Sequence, residues 1–170
     1  MKRKYIISSV TLIIILLLDQ WTKSYVSSIM SLHDSFPVID GFFSITYIRN
    51  PGAAFGFLAN ASPAFRPLFF VVVSAIAIVL ILLLIKNMKD EQRLLTFSLS
   101  LILGGAVGNL IDRVCSGEVI DFFDFYLMSY HWPAFNVADS AITVGAAILV
   151  YELIVKKEKY PGSRFKAFKE

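Results

Sequence analysis

The sequence predicts an all-α integral membrane protein with four transmembrane helices, organised as a single membrane-embedded domain over residues 1–170. Three observations predict this fold class. First, 56% of the 170 residues are hydrophobic, against about 45–50% in an ordinary soluble domain. Second, the excess falls in four blocks that approach or exceed the roughly 20 residues a helix needs to cross a bilayer. Third, basic residues cluster beside these blocks in an alternating pattern, as expected for multi-pass proteins.

The four apolar blocks cover about Tyr5–Ile29, Leu68–Ile85, Leu94–Val114 and Ala138–Val155. The first follows Met-Lys-Arg-Lys, as in a secretory signal, but no small-residue cleavage site comes after it. We therefore expect a retained anchor rather than a removed signal peptide. The "GGAVGN" stretch of the third block, whose first and third glycines are four residues apart, predicts close helix packing.

The distribution of lysine and arginine sets the expected orientation. Twelve of the 16 basic residues flank the blocks on what would be one side of a four-span protein. Because such residues favour the cytoplasmic side, both termini are expected in the cytoplasm. This topology signal accounts for the basic ends, so nucleic acid is not an expected partner. The twelve residues are Lys2, Arg3, Lys4, Lys86, Lys89, Arg93, Lys156, Lys157, Lys159, Arg164, Lys166 and Lys169.

The two outer connections differ in character. The first, about residues 30–67, contains "FFSITYIRNPGAAFGF", where aromatic and β-branched residues with turn signals predict short strands near the membrane interface. The second, residues 115–137, is treated as a loop whose Tyr126, Tyr130 and Trp132 suit an interfacial aromatic belt.

Metal and disulfide chemistry are not expected. Cys115 is the single cysteine of the chain, so it has no intrachain disulfide partner. His33 and His131 lie far apart in sequence and do not form a zinc-binding pattern. The sequence implies no cofactor.

Polar residues of several spans are expected at one depth, the outer end of the bundle. An ionised group deep in a bilayer costs about 2.5–3.5 kcal/mol on insertion scales. Several such groups at one level are best explained if they face a shared pocket. They are Asp19 and Lys23 in the first block, Asn109, Asp112 and Arg113 in the third, Asp139 in the fourth, and Asp121 just before it.

Asp121 and Asp139 together point to acid–base chemistry. Two carboxylates about 4 Å apart repel by roughly 4 kcal/mol at an effective dielectric constant near 20. One would therefore keep its proton at neutral pH while the other stays ionised. The ionised group can deprotonate a water, and the protonated group can polarise a carbonyl, which is the chemistry of peptide hydrolysis.

The residues alone leave alternatives open. Asn136 and Asp139 also fit an ordinary helix N-terminus, with Asn as the cap and Asp favoured by the helix dipole. Asp124 is a rival partner for Asp139. The pairs Asp19–Lys23 and Asp112–Arg113 are most simply buried neutralising groups. A proton-conducting transporter and a non-catalytic helical adaptor remain rival classes for a chain with intramembrane acids.

Five motifs in a fixed order carry a resemblance to a known family. They are "DQWTK" (19–23), "RNPGAAFGF" (49–57), "GGAVGNLIDR" (104–113), "GEVIDFFDFY" (117–126) and "FNVADSAI" (135–142). Over nearly the whole chain, the sequence resembles the bacterial lipoprotein signal peptidases, or signal peptidase II.

The resemblance implies an intramembrane aspartic endopeptidase. Family members remove the signal peptide from prolipoproteins, cutting just before a cysteine that carries a diacylglyceryl group. The family's catalytic acids match Asp121 and Asp139, which selects Asp121 over Asp124. The residues expected to shape the pocket and orient the scissile peptide match Asp19, Lys23, Asn50, Asn109, Arg113 and Asn136.

The resemblance also implies surroundings and partners. The expected location is the bacterial cytoplasmic (inner) membrane, with the active site at the extracytoplasmic face. A small β-sheet cradle with a mobile helix over the site would involve residues 42–57. The expected partners are diacylglyceryl-modified prolipoproteins, membrane lipid and inhibitors of the globomycin type.

Overall fold

The computed structural model describes residues 2–52, 62 and 65–159, and this part of the chain contains four long helices. They are α1 (Arg3–Ile29), α2 (Phe65–Asn87), α3 (Arg93–Ser116) and α4 (Val137–Lys159). All four are long and apolar enough to cross a membrane. This confirms the four-span prediction, and each helix begins slightly before its predicted block.

Helix α3 occupies the centre of the bundle. It runs parallel to α1, since Ser100 contacts Ser8 near one end and Gly108 contacts Gln20 near the other. It is antiparallel to α4, because Gly105 lies against Ala138 while Gly145 lies against Ser98. Helix α2 packs mainly on α3, so a groove remains between α2 and α4.

Glycines allow the helices to approach closely, as the sequence predicted. A Cβ at Gly104 would lie 2.9 Å from the Cβ of Ile15, and one at Gly145 would lie 2.7 Å from the Ser98 carbonyl oxygen. A Cβ at Gly108 would lie 2.5 Å from the carboxylate oxygen Oδ2 of Asp19. Side chains at these positions would push α3 away from α1 and α4. Because glycine has none, the three helices approach closely enough for their polar residues to contact one another.

Four antiparallel strands form a small sheet in the order β1 (Ser35–Ile39), β2 (Phe43–Asn50), β3 (Val119–Leu127) and β4 (Tyr130–His131). The prediction of short strands in residues 42–57 is confirmed for Phe43–Asn50, which form β2. The treatment of residues 115–137 as a loop was wrong, since they supply β3 and β4. Asp121 therefore lies on a strand. Its position depends on pairing with Ile48 of β2, a contact across more than 70 residues that local patterning does not report.

The sheet is attached to one end of the bundle. Tyr47 of β2 and Phe122 of β3 are buried with Val26 of α1 in a small hydrophobic cluster. A bulge in β2 between Ile45 and Ile48 shifts the register with β3, next to Asp121. Residues 53–57 of the predicted cradle, and the helix expected over the site, lie outside the described residues.

Candidate active site

The two predicted acids open onto one cavity of about 640 Å³ at the sheet end of the bundle. Asp121 is the third residue of β3 and only 2% exposed. Asp139 lies in the first turn of α4. The cavity continues along the groove between α2 and α4, where Val73, Ala77 and Thr143 line it. Two acids that line one cavity thus lie beside an apolar groove between helices.

Asn136 connects the two acids. Its side-chain amide donates to Asp121 Oδ1 at 2.7 Å. Its backbone N–H donates to Asp139 Oδ2 at 3.3 Å, while its side-chain oxygen accepts the backbone N–H of Asp139 at 2.9 Å. The last two bonds form a reciprocal helix cap. The capping interpretation of the sequence is therefore confirmed, and the same cap fixes Asp139 relative to Asp121.

Two further asparagines each hold one acid. Asn109 of α3 donates to Asp139 Oδ1 at 2.8 Å. Asn50, the last residue of β2, donates to Asp121 Oδ2 at 3.0 Å. The two carboxyl groups are thereby oriented by amides from separate elements, while both still line the cavity.

Asp121, which lies outside the helices, has a clearly raised pKa. Burial is the main cause, and the nearby charge of Asp139 adds to it. Together they raise the pKa of Asp121 to about 7, against the opposing effect of the hydrogen bonds from Asn50 and Asn136. A carboxyl group with this pKa exchanges its proton near neutral pH, as a general acid or base must.

A buried ionic network lies behind the cavity wall. Lys23 is 2% exposed, and its ammonium contacts Asp19 Oδ2 and Asp112 Oδ2, each at 2.8 Å. It also donates to Asn109 Oδ1 at 3.0 Å. Asp19 in turn accepts the backbone N–H of Ala138 at 2.9 Å. The network therefore links α1, α3 and the start of α4 directly beside Asp139.

The predicted Asp112–Arg113 neutralising pair was wrong, whereas the Asp19–Lys23 pair is confirmed. Asp112 pairs with Lys23, because neighbouring residues on a helix point about 100° apart. The guanidinium of Arg113 lines the cavity and lies 5.2 Å from the ring centre of Phe70. It donates to the carbonyls of Asn109 and Gly52, each at 3.3 Å.

The rival acid, Asp124, has different surroundings. Its carboxylate contacts His131 Nδ1 at 2.9 Å, and the imidazole stacks on Tyr126. Asp124 is not among the described residues that line the cavity. The three-residue offset from Asp121 places the two acids differently along β3, so the geometry favours Asp121 as the partner of Asp139.

The other predicted site residues divide into two groups. Asn50, Asn109 and Arg113 line the cavity, while Asp19, Lys23 and Asn136 lie behind its described lining. Sequence reasoning missed Gln20, whose side-chain amide donates to Asp19 at 3.1 Å and Asp112 at 3.0 Å. Its place inside "DQWTK", one residue from a buried acid, is the signal that could have identified it.

Fold and site together define a protein with four helices able to span a membrane and with two carboxyl side chains that line one cavity beside an apolar groove. Comparisons with known proteins refine this class. Residues 11–155 match the family model described as signal peptidase (SPase) II. The chain belongs to the signal peptidase II family, a family of membrane proteases.

Relatives match over nearly their full length. The lipoprotein signal peptidase of Syntrophus aciditrophicus is 56% identical over 160 residues, covering 94% of this chain and 99% of the relative. That of Geobacter metallireducens is 52% identical, covering 91% and 94%. A solved structure described as a bacterial membrane enzyme, determined by the in meso method, superposes with a TM-score of 0.80 at 34% identity and covers 92% of each chain.

Proposed function

We propose that this protein removes the signal peptide from lipoprotein precursors, cutting just before the diacylglyceryl-modified cysteine by means of Asp121 and Asp139. The observation that carries the proposal is the shared cavity, onto which both acids open while Asn136 bridges them. Family membership supports the substrate class, because the relatives carry the name lipoprotein signal peptidase.

The chemistry follows from one proton shared by the pair. The ionised carboxylate takes a proton from a water, whose oxygen attacks the scissile carbonyl carbon. The protonated carboxyl donates a hydrogen bond to the carbonyl oxygen as negative charge develops there. When the tetrahedral intermediate collapses, the C–N bond breaks and the leaving nitrogen receives a proton from the pair. The two acids titrate as a unit, so neither is assigned the proton permanently.

The surrounding residues have positioning roles in this scheme. Asn50 and Asn109 each hold one carboxyl group and leave its other face to the cavity. Arg113, at the cavity wall, is placed to hydrogen-bond a peptide carbonyl next to the scissile bond. The groove between α2 and α4 would take the apolar segment of the signal peptide, and the acyl chains would stay in the lipid.

A synthetic precursor peptide tests the function directly. Purified protein in detergent should cleave a peptide that carries the diacylglyceryl cysteine, with the new N-terminus at that cysteine, as read by mass spectrometry. Globomycin should block the cleavage. The same peptide without the lipid serves as the control and should be cut far more slowly. Equal cleavage of both peptides, or cleavage elsewhere, would contradict the proposed substrate class.

The pH profile of the reaction should follow the titration of the acid pair. Because ionising both carboxyls removes the general acid, kcat/KM should fall about tenfold per pH unit above about pH 7, the pKa of Asp121. A precursor without histidine near the cleavage point avoids substrate titration. The Asp124→Asn variant should give the same upper limb. A rate that still rises at pH 9 would contradict the shared-proton scheme.

The proposed topology places both termini in the cytoplasm and the sheet outside. Cys115, exposed near the end of α3, is the single cysteine of the chain. A membrane-impermeant maleimide should therefore label it in intact spheroplasts. The matched control is Cys115→Ser combined with Glu91→Cys in the α2–α3 turn, which should react only after the membrane is opened. The reverse labelling pattern would invert the topology.

A further inference from the structure

A second cleft lies at the end of the bundle farthest from the acids. It has a volume of about 210 Å³ and is lined by Arg3, Ile6 and Ile7 of α1 and Arg93 of α3. The parallel helices α1 and α3 begin at Arg3 and Arg93. With a rise of 1.5 Å per residue, Arg3 is about 24 Å from Asp19 along α1. The cleft is therefore separate from the candidate active site.

The charged groups nearby form hydrogen bonds with backbone groups around the cleft and none with the guanidiniums of its two arginines. Asp90 accepts the backbone N–H groups of Arg3 at 3.2 Å and Lys4 at 3.5 Å. The buried ammonium of Lys4 donates to the carbonyls of Lys86 and Met88. Within the described part of the chain, the guanidiniums of Arg3 and Arg93 have no hydrogen bond or ion pair. Two unpaired planar cations thus face one small cleft.

The charge around the cleft is predominantly positive. Lys2, Lys86 and Lys89 lie at the same end of the bundle, where the acids with described side chains include Asp90, Glu91 and, on α4, Glu152. Neither helix has an acidic residue in its first turn. An anion is therefore favoured at this position, and a cationic group is not.

An apolar track leads from the cleft along α1. Ile6 and Ile7 line the cleft. Val10, Ile14 and Leu17 follow at helical spacing and are 51%, 50% and 66% exposed. Residues spaced by three and four lie on one helix face. The described surface therefore combines a cationic cleft with a contiguous hydrocarbon-facing stripe, a combination that matches a molecule with a charged head and an apolar tail.

We propose that this cleft binds the phosphate of one anionic phospholipid, with an acyl chain along the exposed face of α1. A guanidinium presents a planar fork of N–H donors that matches two phosphate oxygens. Basic pockets between transmembrane helices are established places for anionic head groups. The bound lipid would join the first turns of α1 and α3, and this site is independent of the proposed peptidase activity.

Lipid titration in nanodiscs tests the proposal. The protein is placed in phosphatidylcholine nanodiscs with increasing phosphatidylglycerol, and bound lipid is counted by native mass spectrometry after gentle release. One phosphatidylglycerol should bind to the wild type. The Arg3→Lys/Arg93→Lys variant keeps both charges but loses the fork, so its binding should be about tenfold weaker. The control Lys86→Gln/Lys89→Gln removes two charges outside the cleft and should bind nearly as the wild type does.

Each other outcome would overturn the site as proposed. Equal binding of phosphatidylcholine would show that the cleft does not select an anionic head group. A larger loss in the lysine control than in the arginine variant would indicate diffuse electrostatic attraction only. Glycerol 3-phosphate, tested in detergent, should bind at least a hundredfold more weakly than the lipid, since it lacks the chains. Comparable binding would make the cleft a site for free phosphate. Precursor cleavage by each variant reports correct folding, and the single Arg93→Lys variant replaces the double variant if that one does not fold.

Discussion

Replacing Asp121 by asparagine, or Asp139 by asparagine, should lower the rate of precursor cleavage by about 10³-fold or more. An amide keeps the size of the side chain but neither takes a proton from water nor donates the acidic proton to the carbonyl oxygen. General acid–base catalysis contributes about 10²–10⁴-fold in enzymes, and here the two groups act as one unit. The double variant should therefore be little slower than either single variant.

The measurement is single-turnover cleavage of the lipidated precursor by purified variants, with binding followed separately. Asp124→Asn is the matched control, because it makes the same chemical change on the same strand. Its effect should stay within a few-fold, since Asp124 pairs with His131. Near-normal cleavage by either Asp121→Asn or Asp139→Asn would refute the pair. A total loss with Asp124→Asn alone would show that the wrong acid was chosen.

Replacing Lys23 by methionine should destabilise the protein by about 3–5 kcal/mol, the usual effect of removing one partner from a buried ion pair. Methionine fills much of the space but leaves the carboxylates of Asp19 and Asp112 facing each other without their cation. Asp19 also holds the backbone of Ala138. The start of α4, and Asp139 with it, should therefore shift, so the surviving folded protein should cleave more slowly.

Thermal unfolding in detergent, followed by circular dichroism, measures this effect. Lys89→Met removes an exposed lysine and should leave the unfolding temperature nearly unchanged. The triple variant Lys23→Met/Asp19→Asn/Asp112→Asn removes the unpaired charges and should recover part of the lost stability. If Lys23→Met unfolds at the wild-type temperature, the network does not hold the three helices together.

Much of the fold was predictable because its signals are local. A transmembrane span appears as a continuous apolar run, and all four were placed within a few residues. The Asp19–Lys23 pair and the Asn136 cap were predictable for the same reason, since partners three or four apart on a helix must meet. The Asp112–Arg113 pairing failed because adjacent helical residues diverge. The sequence prediction missed strand β3 because its pairing is not local: Ile48, which pairs with Asp121, lies more than 70 residues away.

By itself, the sequence predicted four membrane-spanning helices and the gathering of Asp19, Lys23, Asp112 and Asp139 at one level of the bundle. Both can be read directly from the sequence, because they depend on the length of each apolar run and on the positions of the charged residues along it. Only the tertiary structure showed that Lys23 pairs with Asp112 as well as with Asp19. It also showed that Asn136 hydrogen-bonds both Asp121 and Asp139. These contacts depend on close approach at Gly105 and Gly108 and on the register of β2 with β3. Long-range packing sets such distances, and no local pattern encodes them.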